Sequence, residues 1–281
     1  MELGVFGLNA KAPLAPGHTA QLARRAEELG YDSWWAGEHV VLPSPSTPDT
    51  PMDPTDPILD PLVHLAYVAA VTERMLLGTG IVILPQRNPL VLAKQVASLD
   101  VLSGGRVHLG IGAGYLEPEL AALGVPMSER GRRTDEHLDA MASLWLDERP
   151  AFTGTHVSFA GIDAHPRPVR DGGPRIVVGG HSPAAYRRAV ARGHGWIGNG
   201  SSPADAQAAL DGLAKAASEV ERPARLGRLE VTFMPMSSTV DHAAARSYAA
   251  LGVDRLLIYP LPLEDPAEIA RHLEAHADLP R

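Results

Sequence analysis

The stretch LLGTGIVILPQRNPLVLAKQVASLDVLSGGRVHLGI, residues 76–111, contains one complete strand–helix–strand unit. Residues 76–84 are mostly apolar and rich in β-branched side chains, and residues 107–111 form a second short apolar run. Between them, residues 89–102 carry apolar side chains at helical spacing, and the following Ser-Gly-Gly ends that helix. Because a helix joins the two strands, we expect them to pair in parallel.

The same alternation of short strands and helices runs along most of the chain. The predicted strands are residues 3–8, 32–36, 76–84, 107–111, 175–178, 195–197, 229–233 and 255–258. The predicted helices that follow them include residues 17–29, 61–72, 89–102, 183–192, 203–219, 240–250 and 266–276. Eight such units predict an α/β fold, a (β/α)8 TIM barrel. A doubly wound sheet would carry a G-x-G-x-x-G turn after its first strand, and residues 7–12 lack it.

Residues 112–174 interrupt this alternation. They contain an amphipathic helix, predicted over residues 128–146, and a small hairpin predicted over residues 152–159. We interpret residues 115–174 as an insert between strands four and five. The whole chain, residues 1–281, is expected to form a single domain.

Composition excludes several classes of function. The chain has 281 residues, a net charge of −8 and no cysteine, so disulfides and thiolate chemistry are absent. It has no basic run for nucleic acid and no apolar stretch long enough to span a membrane. The start of the sequence lacks the basic region of a signal peptide, so a cytoplasmic protein is expected. The 12 histidines do not show metal-site spacing; no metal site is predicted, and a metal-dependent hydrolase stays an alternative.

In such barrels the active site lies where the carboxyl ends of the strands meet. Glu38 and His39 follow the second strand there, as a candidate base and a candidate proton carrier. Each has a structural alternative, an ion pair with an arginine for Glu38 and an ordinary hydrogen bond for His39. Ser182 is placed to cap the helix that begins at Pro183, where free amides could bind an anion such as phosphate. An ordinary strand-to-helix turn would explain that sequence equally well.

Two further groups have a structural interpretation. Trp34 and Trp35 are adjacent in a strand, so one is expected inside the barrel and the other against the outer helices. Arg130, Arg132 and Arg133 are interpreted as a solvated face balanced by neighbouring Asp135 and Glu136.

A series of motifs resembles the bacterial luciferase-like monooxygenase superfamily, most closely its coenzyme F420-dependent oxidoreductases. The motifs are AEELGYDSWWAGEH (26–39), AAVTERMLLGTG (69–80), LAKQVASLDVLSGGR (92–106), GIGAGY (110–115), ERG (129–131), LW (144–145), FTG (152–154), VVGG (177–180) and GHGW (193–196). Their joint order carries the resemblance, which covers residues 4–200 and is weaker beyond. The last motif departs from the usual Gly-Asp-Gly-Trp.

The resemblance implies that a deazaflavin, coenzyme F420, binds at the mouth of the barrel and exchanges a hydride with a small organic substrate. It places the ring near Glu38, His39 and strand three, and it predicts a cis peptide bond between Gly80 and Ile81 behind the ring. We expect catalytic roles for both side chains, with His39 carrying the proton and Glu38 tuning it or contacting the ring. The cofactor-binding residues that it implies are Thr79, Gly80, Ile81, Gly112, Ala113, Gly114, Gly179, Gly180, His181 and Ser182.

Two positions depart from other branches of the superfamily. Flavin-using relatives carry an arginine for the FMN phosphate where this chain has Ala113, which favours F420 over FMN. Sugar-phosphate dehydrogenases carry an acid where this chain has Tyr115, so a different substrate is expected. An FMN-dependent monooxygenase and an inactive flavin-binding relative are the alternatives. Dimers are common in the resembled family, which makes a homodimer the candidate assembly.

Overall fold

The computed structural model describes residues 1–11, 14–237, 239–260 and 263–280. Its strands are β1 (Glu2–Phe6), β2 (Ser33–Ala36), β3 (Leu76–Thr79), β4 (Val82–Ile83), β5 (Val107–Gly112), β6 (Phe152–Thr153), β7 (Ser158–Phe159), β8 (Arg175–Gly179), β9 (Gly195–Gly200), β10 (Glu230–Pro235) and β11 (Arg255–Ile258). Its helices are α1 (Pro16–Glu28), α2 (Pro61–Ala69), α3 (Pro89–Ser103), α4 (Glu117–Ala122), α5 (Arg130–Leu146), α6 (Pro183–Arg192), α7 (Pro203–Glu219), α8 (His242–Ala250) and α9 (Pro266–His276).

Parallel strands close into a barrel with eight positions within the described residues. We call each position a stave; β3 and β4 together form the third stave. The order around the ring is β1, β2, β3 with β4, β5, β8, β9, β10 and β11, and β11 pairs back onto β1. The closing pair aligns Glu2 with Arg255 and Val5 with Ile258. The predicted (β/α)8 fold is therefore confirmed.

The third stave differs from the continuous strand that its apolar sequence predicts. Strand β3 ends at Thr79, and pairing to β5 resumes at Val82, which aligns with Ile111. The intervening Gly80–Ile81 peptide bond is cis, as predicted from the resemblance. The backbone therefore leaves the ladder for two residues at the end of the barrel where the site is expected.

The segment between β5 and β8 holds helices α4 and α5 and an antiparallel hairpin that aligns Phe152 with Phe159. Helix α5 and the hairpin are predicted from the sequence, whereas α4 is not. With only 6 residues, α4 is too short to display a helical period.

Apolar side chains pack on both faces of the barrel sheet: inside the barrel, and between the sheet and the surrounding helices. Trp35 packs inside, in a cluster with Val177, Ile197, Met234 and Leu257. Trp34 belongs to the larger cluster between the sheet and the helices. Gly78 makes room for Trp35, because a Cβ there would lie 2.3 Å from the indole ring. The opposite orientations of the two tryptophans are thus confirmed.

A buried histidine makes the fold sensitive to acid. His64 on α2 accepts a hydrogen bond from the indole Nε1 of Trp34 at 3.0 Å, and burial lowers the pKa of His64 from 6.5 to about 4. Between those values the unfolded chain binds a proton that the folded chain excludes. The contribution to stability is therefore complete above pH 6.5 and is lost as the pH falls toward 4.

We expect His64→Gln, whose side-chain oxygen can accept the same indole hydrogen bond, to reduce this acid lability. Between pH 7.5 and pH 5, the variant should lose about 2 kcal/mol less unfolding free energy than the parent chain. Urea unfolding at the two pH values measures the difference. The exposed His165, changed to Gln, is the control and should behave as the parent. Equal losses in His64→Gln and the parent would contradict the assignment.

Candidate active site

A cavity of about 1180 Å³ opens at the carboxyl ends of the barrel strands. The predicted site residues that line it are Glu38, His39, Gly80, Ile81, Gly112, Ala113, Gly114, Gly179, Gly180, His181 and Ser182. Thr79 is not among the lining residues. Its side chain is fully buried and donates a 2.6 Å hydrogen bond to the carbonyl oxygen of Gly110. Thr79 therefore joins two staves of the sheet at the floor of the cavity.

The interrupted third stave projects one apolar side chain into the cavity. Ile81 lies against two glycines of neighbouring strands, Gly112 and Gly179. A Cβ on Gly112 would lie 2.6 Å from Ile81 Cδ1, and one on Gly179 would lie 2.7 Å from Ile81 Cγ2. These glycines are therefore required by the close approach of Ile81, which forms an apolar wall of the cavity.

The carboxylate of Glu38 is buried and held by two partners. One carboxylate oxygen accepts a 2.6 Å hydrogen bond from the amide of Ile83, and the other pairs with the guanidinium of Arg87. Arg87 also pairs with Asp60, the residue that caps α2. Burial raises the pKa of Glu38, and the Arg87 charge and the Ile83 amide oppose that rise. The arrangement suits a residue that fixes the interrupted stave more than it suits a base.

His39 is oriented by a carboxylate that the sequence analysis did not identify. Its Nδ1 donates to Glu119 Oε2 at 2.8 Å, and the other oxygen of Glu119 accepts the amide of Val40 at 2.7 Å. Among the described residues, the Nε2 of His39 has no hydrogen-bond partner. A carboxylate on one ring nitrogen fixes the tautomer and leaves the other nitrogen as a proton acceptor.

Glu119 lies on α4 and is 1% exposed, although it is a charged residue on a six-residue helix. The sequence signal for it is the paired acids Glu117 and Glu119 just after the Gly-rich turn, and only a fold shows which one points inward. Tyr115, at the position where an acid is found in sugar-phosphate dehydrogenases, packs edge-on to the His39 ring with centroids 6.0 Å apart. The carboxylate that pairs with His39 therefore belongs to Glu119, four residues after Tyr115.

The start of α6 forms another side of the cavity. Gly180 has φ +112°, a conformation that favours glycine, and Ser182 caps the helix by accepting from the amide of Ala185 at 3.2 Å. The predicted capping role of Ser182 is confirmed. His181 packs edge-on against Trp196, with ring centroids 5.5 Å apart.

Arginines line the same cavity as the start of α6. Arg130 donates to the carbonyl oxygens of Gly114 at 3.2 Å and Met127 at 2.6 Å, and among the described residues no carboxylate pairs with it. Arg188 also lines the cavity but is neutralised by Asp135, at 2.7 Å.

Arg130 and Arg132 line the cavity, and Arg132 is exposed as the interpretation of a solvated face requires, but the predicted charge balance is wrong. The acids assigned to balance them are engaged elsewhere. Asp135 pairs with Arg188. Glu136 accepts hydrogen bonds from the amides at the hairpin turn, residues 155–157.

The part of the chain that the structure describes contains neither a cluster of metal ligands nor a membrane-spanning helix. Its His, Asp and Glu side chains form no group of three that could hold a metal ion. None of its helices combines the length and the apolar character needed to cross a membrane.

Comparison with known proteins identifies the family. The model of the luciferase-like monooxygenase family matches residues 1–278. The uncharacterized protein Rv0953c of Mycobacterium tuberculosis (strain ATCC 25618 / H37Rv) is 32% identical over 256 residues, which cover 80% of this chain and 90% of that protein.

Relatives whose names state an activity match this chain over a smaller share of their own length. The F420-dependent glucose-6-phosphate dehydrogenase of Kineococcus radiotolerans is 33% identical over 197 residues, 68% of this chain and 55% of the enzyme. The 4-hydroxyprotoasukamycin monooxygenase of Streptomyces nodosus subsp. asukaensis is 30% identical over 211 residues, 74% of this chain and 54% of the enzyme.

Among solved structures, an F420-dependent secondary alcohol dehydrogenase in complex with an F420-acetone adduct superimposes with a TM-score of 0.78. The superposition covers 99% of this chain and 98% of that structure, at 15% sequence identity. Because the identity is so low, the likeness concerns the fold alone. The family match over residues 1–278 is decisive. The chain belongs to the luciferase-like monooxygenase family.

Proposed function

We propose that this protein is an oxidoreductase that binds coenzyme F420 at the barrel mouth and transfers a hydride between it and a small organic substrate. The observation that carries the proposal of a cofactor with an anionic tail is Arg130. It is a cation held only by backbone carbonyls, among the described residues, at one end of a cavity whose wall at Ile81 is apolar. A flat ring with an anionic tail has the matching chemistry.

The residues present fit such a group. Ile81, with the glycine backbone of Gly112 and Gly179 beside it, offers an apolar surface against which a ring could lie. Arg130 and the start of α6 at Ser182 offer donors and positive charge for a phosphate. The two features lie in the same cavity, as a ring and its tail require.

When bound, a deazaflavin supplies or accepts a hydride. The protein contributes the proton and the geometry. His39 would exchange a proton with the substrate through Nε2, while Glu119 holds the ring in place through Nδ1. Glu38, through Ile83 and Arg87, would keep the interrupted stave in place behind the cofactor.

Ala113 supports F420 over FMN, because flavin-using relatives carry an arginine at this position. The Kineococcus radiotolerans relative, named as an F420-dependent enzyme, supports the same choice. The second candidate is an FMN-dependent monooxygenase, which the family description and the Streptomyces relative favour. Arg130, next to Gly114, offers a cation to the phosphate of either cofactor.

Titration of the purified protein with each cofactor separates the candidates. The fluorescence of F420 should change on binding and yield a micromolar dissociation constant, whereas FMN should bind at least tenfold more weakly. Micromolar FMN binding without F420 binding would refute the proposal. F420 binding with no hydride transfer to any of a broad set of alcohols, enones and imines would favour an inactive flavin-binding relative.

Arg130→Gln is expected to weaken F420 binding about tenfold, because a hydrogen bond to a charged group contributes roughly 1.5–3 kcal/mol. The loss should shrink as the salt concentration rises, since salt screens the attraction in the parent protein. Arg130→Lys should recover part of the affinity. Arg74→Gln, which changes the residue before Met75 at the opposite end of the third stave, is the matched control. Unchanged affinity in Arg130→Gln would remove Arg130 from the tail site.

A further inference from the structure

The cavity has a second end, formed where residues after β1 meet the Pro-rich loop. Ala10 bridges to Ile58 in antiparallel fashion, and the amide of Lys11 donates to the carbonyl oxygen of Pro57 at 2.9 Å. Pro51 and Met52 of the same loop also line this end. We call it the strand-one end; it lies across the cavity from the arginine end at Arg130.

Charge at the strand-one end is balanced, unlike that at Arg130. Lys11 is the cation that lines this end in the described part of the chain, and its Nζ pairs with Asp56 at 2.7 Å. The field of Asp53 and Glu264 adds to that of Asp56 in raising the pKa of Lys11. An anionic substrate here would meet a lysine that Asp56 already neutralises.

The polar side chains of this end have little hydrogen-bonding capacity to spare. Asn9 is 1% exposed; its amide group donates to the carbonyl oxygens of Gly37 and Leu59, and its oxygen accepts the amide of Gly37. What faces the space is mostly apolar: Phe6, Met52, Ile58 and Met234. Tyr115, Tyr259 and His39 line the same cavity and offer two hydroxyls and the imidazole Nε2.

We infer that the substrate is an uncharged, predominantly apolar organic molecule with one oxygen or nitrogen function directed toward His39. The inference rests on the proposed function only in treating the strand-one end as the substrate end. An anion is disfavoured because Lys11 is already paired with Asp56, and a cation would lose its water without a free carboxylate among the described lining residues. The burial of apolar side chains favours a neutral ligand.

Three probes of similar size test this inference: 4-methylcyclohexanol, 4-hydroxycyclohexanecarboxylate and 4-aminocyclohexanol. Ligand-detected NMR gives their affinities for the full chain without cofactor and for its Arg130→Gln variant, which removes the cation at the arginine end of the same cavity. F420 titration of the parent chain is measured separately. We expect the neutral alcohol to bind at least tenfold more tightly than either charged probe. A charged probe that binds as tightly as the alcohol, or more tightly, overturns the inference.

Asp56→Asn adds a prediction that concerns the lysine itself. The variant keeps an acceptor for the amide of Asp53 but leaves Lys11 without its ion pair. The carboxylate probe should then bind about tenfold more tightly, whereas the affinity of the neutral alcohol should stay the same. Asp171→Asn makes the same charge change just before β8, at the far end of the barrel, and should alter neither affinity.

The two proposals fail separately. If F420 does not bind but the neutral probe is still preferred, the proposed function is wrong and the inference about the ligand stands. If F420 binds but the carboxylate probe is preferred, or does not respond to Asp56→Asn, the inference is wrong and the cofactor assignment stands.

Discussion

His39→Ala should lower kcat at least about 100-fold on any substrate that the protein reduces or oxidises, because general acid–base catalysis contributes roughly 100- to 10,000-fold. The imidazole lines the cavity and is held by Glu119 at 2.8 Å. In the proposed function, its Nε2 would exchange a proton with the substrate. Steady-state turnover with reduced or oxidised F420 measures the effect. Full turnover in His39→Ala would remove the proton role.

Two companion measurements keep this result interpretable. The affinity of His39→Ala for F420 should match that of the parent, which shows that the cavity is intact. Glu119→Gln keeps the size of the side chain but removes its charge, so we expect a fall in kcat with little change in KM. A rise in KM with kcat unchanged would instead make Glu119 part of the binding surface.

Gly110→Ala should destabilise the protein by ~3 kcal/mol or more, because overpacking a close contact is costly and this contact cannot relax. A Cβ on Gly110 would lie 1.8 Å from the carbonyl oxygen of Thr79, which is backbone of the adjacent strand. The hydrogen bond from the Thr79 hydroxyl to the Gly110 carbonyl would be displaced as well. Urea unfolding of the variant and the parent chain measures the loss.

The control for this prediction is Gly17→Ala. Gly17 lies in the first turn of α1, and a Cβ there would meet nothing within 4 Å. Its unfolding free energy should be equal to the parent value or slightly higher, since alanine favours a helix. Equal stabilities for Gly110→Ala and Gly17→Ala would mean that β3 and β5 are not packed as described.

The spacing of apolar residues within short segments was sufficient to predict most strands and helices of the barrel. A strand and a helix each impose their own period on nearby residues, so residues 76–84 and 89–102 identify their elements without knowledge of the rest. The cap at Ser182 is equally local, because it involves an amide three residues away. The cis peptide bond at Gly80–Ile81 was predicted from the family resemblance, whereas the apolar run alone predicted an unbroken strand.

Contacts between distant residues could not be predicted in this way. Glu38 pairs with Arg87, 49 residues away, and His39 with Glu119, 80 residues away. The chain offers 33 acids and 25 basic residues, and no local period selects one pair among them. Arg130 shows the same difficulty. Its sequence neighbours suggested a solvated face, whereas the fold turns it toward the carbonyl oxygens of Gly114 and Met127.

Binding of F420 at the carboxyl end of the barrel can be observed in a crystal of the protein soaked with F420. We expect the deazaflavin ring against Ile81, with the tail phosphate within hydrogen-bond distance of Arg130 or of the amides at the start of α6. A ring bound elsewhere, or a mouth in which side chains leave no slot for a three-ring plane, would contradict this expectation.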